Sequence, residues 1–379
     1  MKWDTRLIHD GQFPDPLTGS VNPPVYLTST YAQSSPGKAK GFVYSRTGNP
    51  TRTVLERVLG RLEGGVGSLA FSSGLAAASA LLMAYPSGAR IVAGDDLYAG
   101  TRRLLEVART HGVSVDFIDT TQIDNIRRAF DRPPAVDLLY LETPTNPLLK
   151  VTDLKGASRV ARRGGARVAV DNTFASPVLQ RPLELGADVV LHSSTKYLGG
   201  HSDLIGGALV FRSRALLERY RWYQNTQGGI PGPLECFLVL RGIHTLGLRV
   251  RAHCRNARQV AAFLDRHPKV ERTLYPGLAG HPGHAVARRQ MDDYGGMVSA
   301  ELKGGLPAVK KFLRRLKVFT LAESLGGVES LVNHPARMTH RSVPPDVRAS
   351  QGITDGLLRF SVGVEDADDL VDDLRQALG

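Results

Sequence analysis

Two hydrophobic rhythms alternate between residues 50 and 230. One consists of short runs with no polar face: ARIVAG (89–94), VSVDFID (113–119), AVDLLYLE (135–142), RVAVD (167–171), ADVVLHS (187–193) and LIGGALVF (204–211). Runs that are apolar on both sides suit strands buried between two layers. The other rhythm has helical spacing. TRTVLERVLGRLEG carries Val or Leu at 54, 55, 58, 59 and 62, and GLAAASALLMAY, YAGTRRLLEVARTHG and DLKGASRVARRGG follow it. Strands alternating with helices predict an α/β domain built on a mostly parallel sheet.

The pattern changes at both ends. Residues 1–50 are rich in Pro, Gly, Ser and Thr with weak periodicity, which predicts an extended arm laid on another surface. From Gly232 a long helical run reaches His267, with Gly242 and Gly247 as candidate bends. The runs GGMVSAEL and LRFSVGV come next, and then a final helix whose first turn holds Asp366, Asp368 and Asp369. Acids there complement the helix dipole. The expected organisation is an arm (1–50), a large domain (51–231) and a smaller α+β domain (232–379).

Composition narrows the function classes. The 379 residues are 42% hydrophobic and 22% charged, as in soluble enzymes. The net charge of +12 invites a nucleic-acid reading, yet the arginines are spread among acids and no basic motif is interleaved with aromatics. No nucleic-acid partner is expected. Cys236 and Cys254 form no CxxC pair, and His192, His201, His281 and His284 have no ligand-like spacing. No metal is expected. The first residues lack an apolar signal core and no run has the length of a membrane span, so a cytoplasmic enzyme is expected.

Ligands of open parallel sheets sit beyond the carboxyl ends of the strands. Those ends carry Ser72, Ser73 and Gly74; Asp95, Asp96 and Tyr98; Glu142 and Asn146; Asp171 and Asn172; and Ser193, Thr195 and Lys196. Gly74 opens a helix, whose free N–H groups suit a phosphate. Neither GxxxxGK[ST] nor a strand-linked GxGxxG is present. A lysine, a phosphate cradle, an aspartate and an aromatic together point to pyridoxal phosphate. The plainer alternatives are a lysine that merely ends a strand, an aspartate in a turn and a tyrosine in a core.

The stretch DNTFASPVLQRPLELGADVVLHSSTKYLGGHSD (171–203) resembles the cofactor-lysine signature of the Cys/Met-metabolism family of pyridoxal-phosphate enzymes. YSRTGNPTR (44–52), SSGLAA (72–77), DDLYAGT (95–101), ETPTNP (142–147), FTLAESLGGVESL (319–331) and LRFSVGVED (358–366) match in family order. The resemblance implies fold type I, the aspartate-aminotransferase-like architecture. It implies that Lys196 bonds the cofactor and moves protons, that Asp171 pairs with the ring nitrogen, and that Tyr98 stacks on the ring. Gly74, Leu75, Ser193 and Thr195 would hold the phosphate, joined by Tyr44 and Arg46 reaching from a neighbouring subunit. Arg359, Ser324 and Asn146 would hold the substrate carboxylate. Homotetramers are the family's usual assembly.

Glu323 and Arg103 match groups used for the distal end of cystathionine. Gly100 stands where methionine γ-lyases carry cysteine, and Val43 stands where γ-family members often carry an acid. With the length near 380 and the stretches YQNTQGGIPGPLEC and GITDGLLRFSVGVED, the expected reaction is γ-elimination of L-cystathionine to L-cysteine, 2-oxobutanoate and ammonia. The alternative is γ-replacement, joining an O-acylhomoserine to cysteine.

Overall fold

The computed structural model describes residues 1–379. Seven strands form a large sheet: β1 (Gly67–Phe71), β2 (Arg90–Gly94), β3 (Ser114–Ile118), β4 (Leu138–Glu142), β5 (Arg167–Asp171), β6 (Val189–Ser193) and β7 (Gly207–Phe211). Their order is β1-β7-β6-β5-β4-β2-β3. Neighbours are parallel except at β7, which runs antiparallel to both β1 and β6. The expected α/β class is the observed one.

Both sheet faces are covered, which explains the unbroken apolar runs. Ile91, Tyr140, Ala169 and Leu191 pack with the helix Gly74–Met83 on one face. Val92, Leu139, Val170 and Val190 pack with the helix Leu154–Arg163 on the other. The period of two therefore places Glu142, Asp171 and Ser193 on the face of the Gly74 helix, and His192 on the opposite face.

A smaller sheet follows: β8 (Val270–Leu274), β9 (Met297–Leu302), β10 (Thr320–Leu321), β11 (Leu331–Asn333) and β12 (Leu357–Ser361), in the order β8-β9-β12-β11-β10. Leu358 and Phe360 face a core shared with the helices Leu246–Arg266 and Ala367–Leu378. Arg359 lies between them and points the other way, where it bonds to Asn146 beside the end of β4. No helix is long and apolar enough to cross a membrane.

Two local expectations are refined. The long helical run breaks at Thr245, between the two candidate glycines, into Pro233–His244 and Leu246–Arg266. Gly242 serves packing instead: a Cβ there would lie 2.3 Å from the carbonyl oxygen of Gly199 and 2.5 Å from that of Leu198. The helix thus presses its backbone onto the segment that follows Lys196. The arm is not extended throughout. Trp3–His9 is a helix that buries Leu7, and Asp4 pairs with Arg251 at 2.8 Å. Trp3 and Leu7, one turn apart, give that helix its apolar stripe.

Replacing Gly242 by Ala should therefore push the helix off this segment. A loss of about 1–3 kcal/mol is expected, as for overpacked sites. Urea unfolding of the cofactor-free protein measures it, and an unchanged midpoint contradicts the packing role.

Candidate active site

One cavity of about 610 Å³ opens where the strand ends of the large sheet face the small sheet. It gathers Gly74, Leu75, Tyr98, Asn146, Asp171, Ser193, Thr195, Lys196, Glu323, Ser324 and Arg359, all of them candidates from sequence. Arg103 borders an adjoining chamber rather than this cavity. Tyr44 and Arg46 lie outside both. The Arg46 guanidinium rests near the Tyr44 ring and donates to the carbonyl of Asn225 at 2.7 Å.

Lys196 follows β6 in the turn closed by the Lys196 N–H donating to the Ser193 carbonyl. Its Nζ donates to Ser324 Oγ at 2.8 Å. Burial, then the nearby Arg359 cation, pull its pKa down to about 8, against the pull of Glu323 upward. Near neutral pH the neutral form is therefore a minority but far more populated than in an ordinary lysine, which favours its use as a nucleophile or base.

Arg359 is buried and meets no carboxylate. It donates from Nη1 to Asn146 Oδ1 and from Nη2 to the Ser324 carbonyl, both at 2.8 Å, while Nε has no partner. Burial lowers its pKa to about 10, so it stays charged. Ser324 sits at φ +84°, a left-handed conformation for a non-glycine residue. Such backbone costs on the order of 1–3 kcal/mol and clusters at functional sites. Here it directs one oxygen of Ser324 to Lys196 and the other to Arg359.

Across the cavity, Glu142 and Asp171 face each other in register at the ends of β4 and β5. Burial, and for Glu142 the Asp171 charge, raise the pKa of both. Asp171 accepts from the Thr173 N–H at 3.0 Å. Glu142 accepts from the N–H groups of Tyr98 (2.9 Å) and Asn146 (2.8 Å), tying both to the sheet. A cationic ring nitrogen would relieve this crowding of negative charge.

The end of the cavity where the Gly74 helix opens is equally specific. Ser73 caps the helix that Gly74 opens, and the N–H groups of Gly74 and Leu75 make no hydrogen bond within the chain. A Cβ on Gly74 would stand 2.9 Å from that of Ser193, so glycine lets the two elements close on an anion. Thr195 Oγ1 is bonded to the backbone of Gly206. At Gly100 a Cβ would fall 2.4 Å from the Tyr98 ring, so glycine lets that ring lie against its own helix. Amide cradle, paired carboxylates and a lysine of lowered pKa all fit pyridoxal phosphate.

Sequence reading left four parts of this region without a role. Glu142 was visible only as a strand end. Thr173, beside Asp171, carried no signal. Below the sheet, Glu63 accepts from Asn172 at 2.9 Å and bonds His192 at 2.5 Å, a buried network invisible to local pattern. Asp96 is structural: it accepts from Thr145 Oγ1 and the Leu148 N–H, and burial raises its pKa to about 6.

A sheet of this order with such a lysine beyond its sixth strand is the large domain of a fold type I pyridoxal-phosphate enzyme. The chain belongs to the Cys/Met metabolism PLP-dependent enzyme family, whose model matches residues 4–379. It is 50% identical to a cystathionine β-lyase from Coxiella burnetii, over 99% of this chain and 97% of that one. It is 49% identical to a cystathionine γ-lyase from Bacillus subtilis, over 100% and 99%. A crystal structure of cystathionine γ-synthase from Xanthomonas oryzae pv. oryzae in complex with cystathionine superposes with a TM-score of 0.97, at 44% identity over 100% and 98%. The cofactor is pyridoxal phosphate. The similarity is about equal for three reactions, so it supports a trans-sulfuration enzyme without choosing among them.

The charges around Lys196 predict a pH response. Arg359 disfavours the ammonium form, so Arg359→Leu should raise the lysine pKa above about 8. The rate at which cofactor-free protein bonds pyridoxal phosphate, followed against pH, should then rise at a higher pH than in the unaltered protein. A midpoint that stays put or falls contradicts the electrostatic coupling.

Proposed function

We propose that the protein cleaves L-cystathionine by γ-elimination, consuming one water and giving L-cysteine, 2-oxobutanoate and ammonia. The observation that supports this best is Glu323. Its carboxylate lines the same cavity as Lys196 and is near enough to act on that amine's charge. It offers the departing amino-acid arm of cystathionine a partner for its ammonium group.

The roles follow from position. Arg359, with Ser324 and Asn146, binds the substrate's α-carboxylate, and an unmatched buried guanidinium suits this. Asp171 keeps the cofactor's ring nitrogen protonated, while Gly74, Leu75, Ser193 and Thr195 hold the phosphate. When bound, the cofactor supplies an electron-withdrawing ring joined to the substrate nitrogen. Lys196 takes the proton from Cα and later one from Cβ, held near both by Ser324. Tyr98 covers the ring face and assists proton transfer. Arg103 takes the carboxylate of the departing arm.

Tyr44 and Arg46, which do not line their own cavity, complete the phosphate grip of a second copy. Leu17, Val21 and Leu27 on the arm are exposed apolar residues that such pairing would cover. The assembly in this reading is a cytoplasmic homotetramer of two such pairs. γ-Replacement on an O-acylhomoserine is the second reading, favoured by the same α-carboxylate anchor and by the synthase superposition.

Products decide among the reactions. Purified protein given L-cystathionine should release 2-oxobutanoate and cysteine. Pyruvate with homocysteine instead would establish β-elimination. Slow cleavage beside fast cystathionine formation from O-succinylhomoserine and cysteine would establish γ-replacement. Subunit sharing has its own test. Arg46→Ala and Lys196→Ala should each be inactive alone, and co-expression should restore activity, because each mixed pair holds one intact site. No recovery in mixed pairs contradicts the shared site.

A further inference from the structure

The cavity continues into a second chamber of about 410 Å³. The two share Tyr98, Glu323 and Thr339, so one elongated molecule can enter both. The outer walls include Arg103, Arg341 and Ser342. Arg103 is expected there from its motif. Arg341 lies outside every motif above.

The charge balance of this chamber is uneven. Arg103 Nη1 donates to Ser342 Oγ at 3.0 Å and meets no carboxylate. The Arg341 guanidinium has no hydrogen-bond or ion-pair partner at all. Unpaired surface arginines are common in this basic chain, and Arg341 differs from them in bordering a chamber that joins the main cavity. Two cations thus face one acid, Glu323. The backbone that carries Arg341 is also fixed. Arg348 Nη1 donates to the Val343 carbonyl at 2.7 Å, and buried His340 has its pKa lowered to about 4, so it adds no charge.

We propose that Arg341 is a specificity-determining residue: with Arg103 it forms a carboxylate anchor that selects substrates whose departing arm ends in a carboxylate. This rests on the reading above only in placing the substrate's α-carboxylate at Arg359. From there the departing arm runs past Tyr98 and Glu323 into the second chamber. The cysteine arm of cystathionine would give its ammonium to Glu323 and its carboxylate to the arginine pair. A succinyl arm has the carboxylate alone, and an acetyl arm has neither. Guanidinium forks bind a carboxylate with defined geometry, which a lysine reproduces only in part.

The test uses the cofactor-loaded enzyme with O-succinyl- and O-acetyl-L-homoserine, which share a head and differ in the arm. In Arg341→Ala the ratio of kcat/KM for the succinyl over the acetyl ester should fall about tenfold, the worth of one charge-assisted hydrogen bond. The fall should appear mainly in KM, and Arg341→Lys should recover part of it. Titrating the cofactor absorbance with each ester gives the same ratio as dissociation constants, so the answer does not depend on turnover. A ratio unchanged in both measurements overturns the proposal. Failure to cleave cystathionine would sink the γ-elimination reading and leave this ratio intact. An unaltered thermal midpoint in the variants separates lost recognition from lost folding.

Discussion

A guanidinium taken out of water with no carboxylate to receive it governs this structure. Leaving a charge buried and unpaired costs on the order of several kcal/mol. The fold accepts Arg359 in that state and surrounds it with neutral oxygens: Asn146 Oδ1 and the Ser324 carbonyl. Those acceptors orient the fork without neutralising it. Its charge is therefore left unneutralised, and it adds to burial in holding the nearby amine of Lys196 below the usual lysine range. A residue of the small sheet thereby acts electrostatically on the lysine beyond the large sheet.

The two sheets must then be held in fixed relation. Ser324 does this at the cost of a left-handed backbone, bonding Lys196 with its hydroxyl and Arg359 with its carbonyl. Gly242 allows a helix to close on the segment after Lys196, and Gly74 allows the helix it opens to close on Ser193. Each is a place where a methyl group would open a gap in the site. Strain and tight glycine contacts together give positions that a softer packing would not hold.

How far this was legible in the sequence depends on range. The strands β2 to β7 could be read because burial on both faces forces unbroken apolar runs. The residues at their carboxyl ends could be read because chain direction fixes where a parallel sheet opens. Glu63 and His192 could not be paired, since 129 residues separate them and each alone looks like an ordinary surface or core residue. The helix Trp3–His9 was hidden because a single turn of apolar spacing is too short to rise above the surrounding Pro and Gly. Arg341 is a lone arginine in a loop. Only the chamber it borders, shared with Arg103 and Glu323, gives it meaning.

The near-equal similarity to β-lyase, γ-lyase and γ-synthase has a physical origin. All three reactions need the same anchored α-carboxylate, the same withdrawing ring and a lysine that is neutral when required, and these residues occupy one rigid cavity. The reactions differ in which carbon loses its substituent and in whether a second molecule replaces it. The first of these differences depends on how far along the cavity the departing arm is seated. Cystathionine can enter by its three-carbon or its four-carbon half, and one methylene shifts the scissile bond relative to Lys196. In the reading proposed above, discrimination on that scale falls to the groups lining the second chamber: Glu323, Arg103 and Arg341. Because a few side chains at the rim can redirect the reaction while the rest of the chain is unchanged, overall identity is blind to it.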